Sequence, residues 1–356
     1  GEDPDVSENI FYEFKENQII NKSFVQNGSP HKIWQLTGEF TYNRDSHLIS
    51  RDQLIYPNHF HRQIDLKSNL QLIFDQKEKV ILNYEEPIGD LPPNSLLLPN
   101  SNNFGHTILA FFPVLISCII NSHRNIDNII LRKRYKSNSL FSQIFHKLEH
   151  LTKKSKINFQ DITSKSKRIK NPIITKLSYS HNGENVHVDP SAIKFFREQL
   201  GINKNSESEL NNKKIIYLKR KDKYRCIVNE PDLIKIIKKY NGKIVEINDL
   251  DLKERIKILS DYSIIICTAG GTLANTIFCK PGKTIIEFMP EIYYSVQKNY
   301  AGTEGQYISS GLGHNLLKVI CKIDDPDEKK SYILKNIFVP LKEFKIAINY
   351  AMDGNI

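Results

Sequence analysis

The amino-acid sequence predicts a mixed α/β protein whose C-terminal half is a parallel sheet covered by helices and whose N-terminal part carries extra β-hairpins. Three observations predict it. Beyond residue 213, apolar runs of strand length alternate with helical periodicity over short connections, the pattern of strands joined by crossover helices. Short all-apolar strands such as SIIIC lack polar alternation, as strands buried on both faces do. Residues 1 to about 95 instead mix aromatics, prolines and stretches such as NLQLIFDQKEKVILNYEE, where apolar and polar residues exchange every second or third position. Strands and hairpins account for that pattern.

From Asn102 the character changes: NNFGHTILAFFPVLISCIINS reads as a turn and then an apolar helix, and NIDNIILRKR as the strand after it. In SLFSQIFHKLEHLTKK, Leu140, Ile144, Leu148 and Leu151 recur at helical spacing. Asp189-Pro190-Ser191 opens the helix SAIKFFREQLG, with Gly201 as its stop. The polar, aperiodic INKNSESELNNKK that follows reads as a linker and places a domain boundary near residue 200. Then come strand KIIYLKR, helix EPDLIKIIKKYNG, strand KIVEIN, helix DLKERIKILSDY, strand SIIICT, helix TLANTIFCK and strand KTIIEFMP. Asn229 and Glu230 are placed to cap the helix that Pro231 begins.

The chain has 356 residues, 40% hydrophobic and 25% charged, the composition of an ordinary globular protein of about two domains. The longest apolar run, Ile108 to Ile120, contains Pro113 and falls short of the roughly 18–20 residues that span a bilayer. The acidic start GEDPDVSENIFYEF lacks the basic-then-apolar order of a secretion signal. Cys118, Cys226, Cys267, Cys279 and Cys321 are odd in number, scattered and without a CxxC pair, which fits buried free thiols in a reducing compartment rather than disulfides or a zinc site.

The net charge is +10 with a pI near 9.1. Much of it is local: Lys153, Lys154, Lys156, Lys165, Lys167, Arg168 and Lys170 stand against one acid, Asp161. A solvated face is one reading, and attraction to an anionic membrane surface or a charged glycan is the other. Nucleic acid is disfavoured as a partner, because no aromatics interleave with the basic run and no RRM or KH signature occurs.

The chemistry concentrates where the predicted strands end. In a parallel α/β sheet, ligands bind beyond the carboxyl ends of the strands. There TAGGT places Gly270, Gly271 and Thr272 before a predicted helix, an arrangement that lets backbone N–H groups approach a phosphate. It is neither GxGxxG nor a Walker loop, and a plain structural turn is the alternative. Lys219 and Arg220 end another strand on the same rim and Arg225 follows closely; guanidinium groups suit a pyrophosphate. Glu287, at the end of KTIIE, is placed to accept both hydroxyl hydrogens of a ribose, or else is a surface glutamate.

The succession YLKRKDKYRCIVNEPDL and DYSIIICTAGGTLANTIFCKPGKTIIEFMP resembles the C-terminal half of glycosyltransferase family 61, with Arg220, Arg225, Asn229, Glu230, Gly270, Leu273, Asn275, Phe278, Pro281, Gly282 and Glu287 at matching positions. NNFGHTILAFFPVL is similar to the family's helix with Asn103, His106 and Pro113 in place. The resemblance runs over about residues 100 to 320 and is closest to bacterial-type members. It implies GT-B architecture, two Rossmann-like domains facing a cleft: residues 1–200 on the acceptor side with a β-rich start, 201–330 binding the nucleotide sugar, and 331–356 a helical segment packing back on the N-terminal domain. It implies an inverting transfer without an obligatory metal or other cofactor, from a UDP-sugar or else a CMP- or GDP-sugar. The acceptor would be a glycan or lipid-linked acceptor in surface polysaccharide (capsule or lipopolysaccharide) synthesis, and the place the cytoplasm, at the inner face of the membrane. Lys219, Arg220, Arg225, Gly270, Gly271, Thr272, Asn275 and Glu287 would bind the donor.

Two positions depart from the family. Many members carry a carboxylate four residues after the helix histidine, where this chain has Ala110, and eukaryotic members carry a histidine where it has Ala269. An inverting transfer needs a base for the acceptor hydroxyl, and with Ala110 unable to serve, His106 is the first choice. Its alternative is a core histidine at a helix start. Asp90 is a second candidate base, and His314 in GLGHN a candidate to face the leaving diphosphate. A nucleotide-sugar epimerase or hydrolase of the same architecture is the competing enzyme class, distinguished by turnover of donor alone.

Overall fold

The computed structural model describes residues 5–28, 33–35, 37–42, 48–50, 55–56, 87–97, 104–106, 108, 112, 115–116, 118, 126, 128–132, 139–148, 156–160, 166–175, 185–188, 190–202, 213–221, 224–292, 304–325 and 335–354. The stretch 69–86, expected as hairpin strands, Asn103, Ala110 and Pro113 of the helix motif, and Lys153, Lys154 and Lys165 of the basic run lie outside them. The chain divides into two compact units, one of Gly1–Ser29, Asn103–Ala110 and Ser178–Ile356, the other of Pro30–Asn102 and Phe111–Leu177.

The first unit is built on a nine-stranded sheet. Its strands are β1 (Asp5–Lys15), β2 (Gln18–Gly28), β3 (Asn185–Val188), β4 (Ile215–Lys219), β5 (Lys243–Glu246), β6 (Ile264–Thr268), β7 (Thr284–Pro290), β8 (Asn315–Ile323) and β9 (Ile337–Phe338). The spatial order is β3-β2-β1-β8-β7-β6-β4-β5, with β9 antiparallel on β8. β4 to β8 are mutually parallel, as their continuous apolar runs require. Helices α1 (Pro190–Gln199), α2 (Glu230–Lys239), α3 (Leu252–Ser260), α4 (Glu304–Leu312) and α5 (Leu341–Asp353) belong to the same unit.

Sequence chemistry explains the helix boundaries. α3 starts in a reciprocal capping box: the Asp251 side chain accepts from the Glu254 N–H at 2.8 Å and Glu254 accepts from the Asp251 N–H at 2.9 Å. α5 stops at Gly354, which takes φ +77°. α2 departs from expectation at its start. Asn229 makes no side-chain cap; its amide instead brackets Val339, donating to the Val339 carbonyl at 2.8 Å and accepting from its N–H at 3.0 Å.

One face of the sheet carries the main core, where Phe14, Ile266, Ile286, Phe288, Leu317 and Val319 meet Leu233 and Ile237 of α2 and Phe344, Ala347 and Ile348 of α5. Phe344 is fully buried, and its truncation to alanine would cost about 3–5 kcal/mol. Residues 5–28 and 335–354 both contribute to the first unit. β1 pairs in parallel with β8 through Tyr12↔Leu317 and Phe14↔Val319, and the apolar stripe of α5 covers the same sheet, with Tyr350 5.2 Å from Tyr12 between ring centroids. These pairings are long-range in sequence, and no local pattern announces them.

The second unit has a five-stranded sheet ordered 33–35, 173–175, 95–97, 128–132, 156–160, parallel except for its first strand. The helix Ser139–Leu148 connects two of its parallel strands and buries the expected Leu140, Ile144 and Leu148. A smaller antiparallel sheet holds 167–170, 39–42, 48–50 and 55–56. Part of the basic run is therefore a paired strand, and Arg168 forms ion pairs with Glu39 at 3.6 Å and Asp90 at 3.9 Å. The chain is a mixed α/β protein with a mostly parallel central sheet. Among the described residues no helix is long and apolar enough to cross a membrane, and all five cysteines are free thiols, four of them buried.

Candidate functional site

Within β4 to β8 the strand order is β5-β4-β6-β7-β8. The chain moves outward from β4 to β5 and then returns to the other side of β4 with β6, so the order reverses between β4 and β6. A doubly wound sheet opens a ligand crevice at the carboxyl ends of the strands flanking such a reversal. Here β4 ends at Lys219 and runs into Arg220, and β6 ends at Thr268 and runs into Ala269-Gly270-Gly271. Two segments singled out for chemistry, some fifty residues apart, thus end beside one another.

The turn is held by Arg225. Its guanidinium lies against the backbone of Gly270, with Nη1 3.4 Å from the Ala269 carbonyl oxygen. Gly270 has φ +93°, a backbone conformation that strains any side chain, and a Cβ there would meet Nη1 at 2.6 Å and displace the Arg225 guanidinium. Gly271 has open space where its Cβ would be, leaving the backbone open to close approach. Arg225 itself has φ +55°, a sparsely populated region for a long side chain. Arg220 is half-buried at the strand end. Lys219 lies 3.4 Å from Glu230, which also accepts the Tyr217 hydroxyl at 2.7 Å; burial and then the Glu230 charge push the Tyr217 phenol well above its ordinary range.

Three expected donor ligands have other surroundings. Residues 273–278 form a six-residue 3-10 helix, not an α-helix, and Thr272 before it is buried and makes no side-chain cap. The dipole of a full helix therefore does not reach the turn. Asn275 is fully buried; it donates to the Gly271 and Thr272 carbonyls at 3.2 and 3.1 Å and accepts from Arg255 Nη1 at 2.6 Å. It braces the turn from beneath. Glu287 does not end its strand, since β7 continues to Pro290. Its carboxylate is fully buried, 4.0 Å from the equally buried Lys318 ammonium, and a Cβ on Gly305 of α4 would come within 2.4 Å of it. Lys318 also donates to Gln306 at 2.9 Å and stands opposite Glu13 in the β1–β8 pairing, and Glu13 bonds Lys22 at 2.8 Å. Burial pulls the Lys318 pKa down, opposed by Glu287 and Glu13.

His314 lies at the wrong end for a leaving-group role. It immediately precedes β8, at the amino ends of the parallel strands. Its Nδ1 accepts from the Lys283 N–H at 3.3 Å, so Nε2 carries the proton and donates to the Thr276 carbonyl at 3.4 Å. Burial, then the Arg197 charge, pulls its pKa down to about 3.

The helix motif of His106 does come to this region. Its short helical segment, Phe104–His106, packs against the 3-10 helix 273–278, and the Phe104 ring centroid is 5.5 Å from the Arg255 guanidinium carbon. Arg255 is buried, donates to the Leu250 carbonyl at 2.9 Å, and has its pKa lowered to about 10 by burial. The backbone thus brings the two resembling motifs together through Arg255 and Asn275. Asp90, the second candidate base, lies in the other unit with a largely exposed side chain.

Arg255 and Lys318 escaped the sequence reading, although each carries a signal. Arg255 shares a helix face with Leu252 and Leu259, both buried, and Lys318 interrupts the buried run of β8. A cation on an apolar face is the signature of a charge with an assigned partner. Among the described residues no group of three or more His, Cys, Asp or Glu could hold a metal ion.

A comparison with curated proteins gives no match. The sequence model of the family described as Glycosyltransferase 61 matches residues 104–286, beginning at the segment that carries His106 and reaching through the Gly270 turn into β7. The matched stretch covers half of the chain and both motifs that meet at the 3-10 helix, and the chain belongs to glycosyltransferase family 61, a glycosyltransferase acting on a sugar donor and an acceptor.

Proposed function

We propose that the protein is an inverting, metal-independent transferase of GT-B architecture that moves a sugar from a nucleotide-sugar donor, a UDP-sugar first, to a glycan or lipid-linked acceptor of a surface polysaccharide. The observation that carries this reading is the crevice between β4 and β6, where Lys219, Arg220 and the Gly270–Gly271 turn meet at the strand reversal of a family 61 chain. The diphosphate lies there, with Arg220 and Lys219 as counter-charges and the open backbone of Gly271 alongside. Arg225 and Asn275 shape the turn and do not grip the ligand. Glu287 belongs to the sheet interior, and the ribose is held by other groups.

His106 takes the acceptor hydroxyl proton as the diphosphate leaves from the opposite face of the sugar. The packing of its segment on the 3-10 helix that follows the turn supports this assignment. A basic protein draws a diphosphate donor and an anionic acceptor surface alike, which favours work at the inner face of a membrane.

The test uses the full chain with UDP-, CMP- and GDP-sugars, each with and without a lipid-linked acceptor, in the presence of EDTA. Transfer that needs the acceptor, survives EDTA and inverts the anomeric configuration by NMR is the expected result. Donor breakdown without acceptor at the same rate would replace the transferase by a hydrolase or epimerase. His106→Ala should keep nucleotide binding while losing transfer by about 100-fold or more; a fully active variant would remove His106 as the base.

A further inference from the structure

At the amino ends of β7 and β8 the first unit holds a half-open cavity of about 240 Å3 lined by residues of α1 and the turn after it, of α4 and of the loop before β7. Its lining is mainly apolar, from Ile193, Ile202, Pro281 and Leu312, and its charge comes from Lys194, Arg197 and Glu198.

Arg197 sets the chemistry. It is 7% exposed, yet no described carboxylate pairs with it; Nη2 donates to the Cys279 carbonyl, and Nε is buried without a partner. A buried guanidinium ordinarily has a counter-charge, because desolvating it alone is expensive. Burial accordingly lowers its pKa to about 10, and the neighbouring His314 stays neutral, adding no second positive charge. Two features restrict the missing partner to a single negative charge. Arg197 is in the last turn of α1, where helix carbonyls already offer partial negative charge, and the exposed Glu198 lies beside it in the same wall.

We propose that this cavity is a binding site for a small amphipathic monoanion, a carboxylate on an apolar body, with the carboxylate on Arg197 and Lys194 and the body among Ile193, Ile202, Pro281 and Leu312. The site is separate from the nucleotide crevice and does not depend on the transferase reading. It is joined to that crevice by one element, since the Cys279 carbonyl that Arg197 holds follows directly on the 3-10 helix whose other end is the glycine turn. Occupancy therefore bears on the turn through the position of Arg197.

The experiment is thermal unfolding and calorimetry of the full chain with benzoate and hexanoate, against inorganic phosphate and chloride at equal ionic strength. A saturable stabilisation by the two carboxylates and none by phosphate or chloride is expected, weakened about tenfold or more in Lys194→Glu and absent in Arg197→Met. Lys194 is exposed on α1, so its variant decides the matter should Arg197→Met fail to fold. No saturable shift in the native chain, an equal shift with phosphate, or unchanged affinity in Lys194→Glu would overturn the proposal and leave Arg197 as a cap on the 3-10 helix.

Discussion

The two ends of the parallel sheet carry the same kinds of side chain and use them differently. At the carboxyl end, Lys219, Arg220 and Arg225 are half-buried around a turn whose Gly271 faces open space. At the amino end, Lys283 and His314 are 3% and 7% exposed. Both are tied to backbone: Lys283 Nζ donates to the Ser260 carbonyl at 3.0 Å and His314 to that of Thr276 at 3.4 Å. The charges around the turn stand beside open backbone, whereas Lys283 and the neutral His314 close loops. Residue type therefore marks where chemistry is possible, and the surroundings of each side chain decide whether it is tied to backbone.

The largest effect that would break this contrast lies between the two ends. Glu287→Ala leaves buried Lys318 without its nearest carboxylate, and breaking a buried pair costs about 3–5 kcal/mol, read by urea unfolding. Unchanged stability with lost nucleotide affinity would return Glu287 to the crevice. Next comes the turn: Gly270→Ala forces a side chain into left-handed backbone against Arg225 and should cost about 1–3 kcal/mol, while Gly271→Ala should stay within about 0.5 kcal/mol. Equal effects at the two glycines would show that Arg225 does not fix the turn.

The smallest effect at neutral pH is at His314. Its folded-state pKa of about 3 lies below the unfolded value of about 6.5, so the unfolded chain binds the proton first as pH falls. The stabilisation is fully present above about pH 6.5 and is lost toward pH 3. His314→Gln should flatten the acid limb of the stability curve over that window. An unaltered limb would mean that the ring is protonated in the folded protein.

Much of this was legible in the sequence where local pattern and tertiary role coincide. The strands from Ile215 to Pro290 and helices α2 and α3 stand where the apolar runs put them. TLANTIFCK misled because every residue from Leu273 to Phe278 is buried, and periodicity cannot separate helix types without a polar face. The Thr276 hydroxyl also bonds back to the Leu273 carbonyl at 2.7 Å, competing with α-helical pairing. Glu287 was placed at the carboxyl end of its strand, although β7 runs on beside β8 to Pro290↔Cys321. Its partner Lys318 is a neighbour only across the sheet, and sheet order is set by long-range pairing.

The most direct test of the central claim, that a nucleotide diphosphate binds at the carboxyl end of β4 and β6, is thermal unfolding with excess UDP, CMP, GDP and ADP. It is run on the native chain, Arg220→Ala and His314→Gln. One nucleotide, UDP first, should stabilise the native chain by about 2.7 kcal/mol at 100 times its dissociation constant. Arg220→Ala should lose that shift and His314→Gln should keep it. A shift that survives Arg220→Ala, or none with any nucleotide, would contradict the placement of the donor in this crevice.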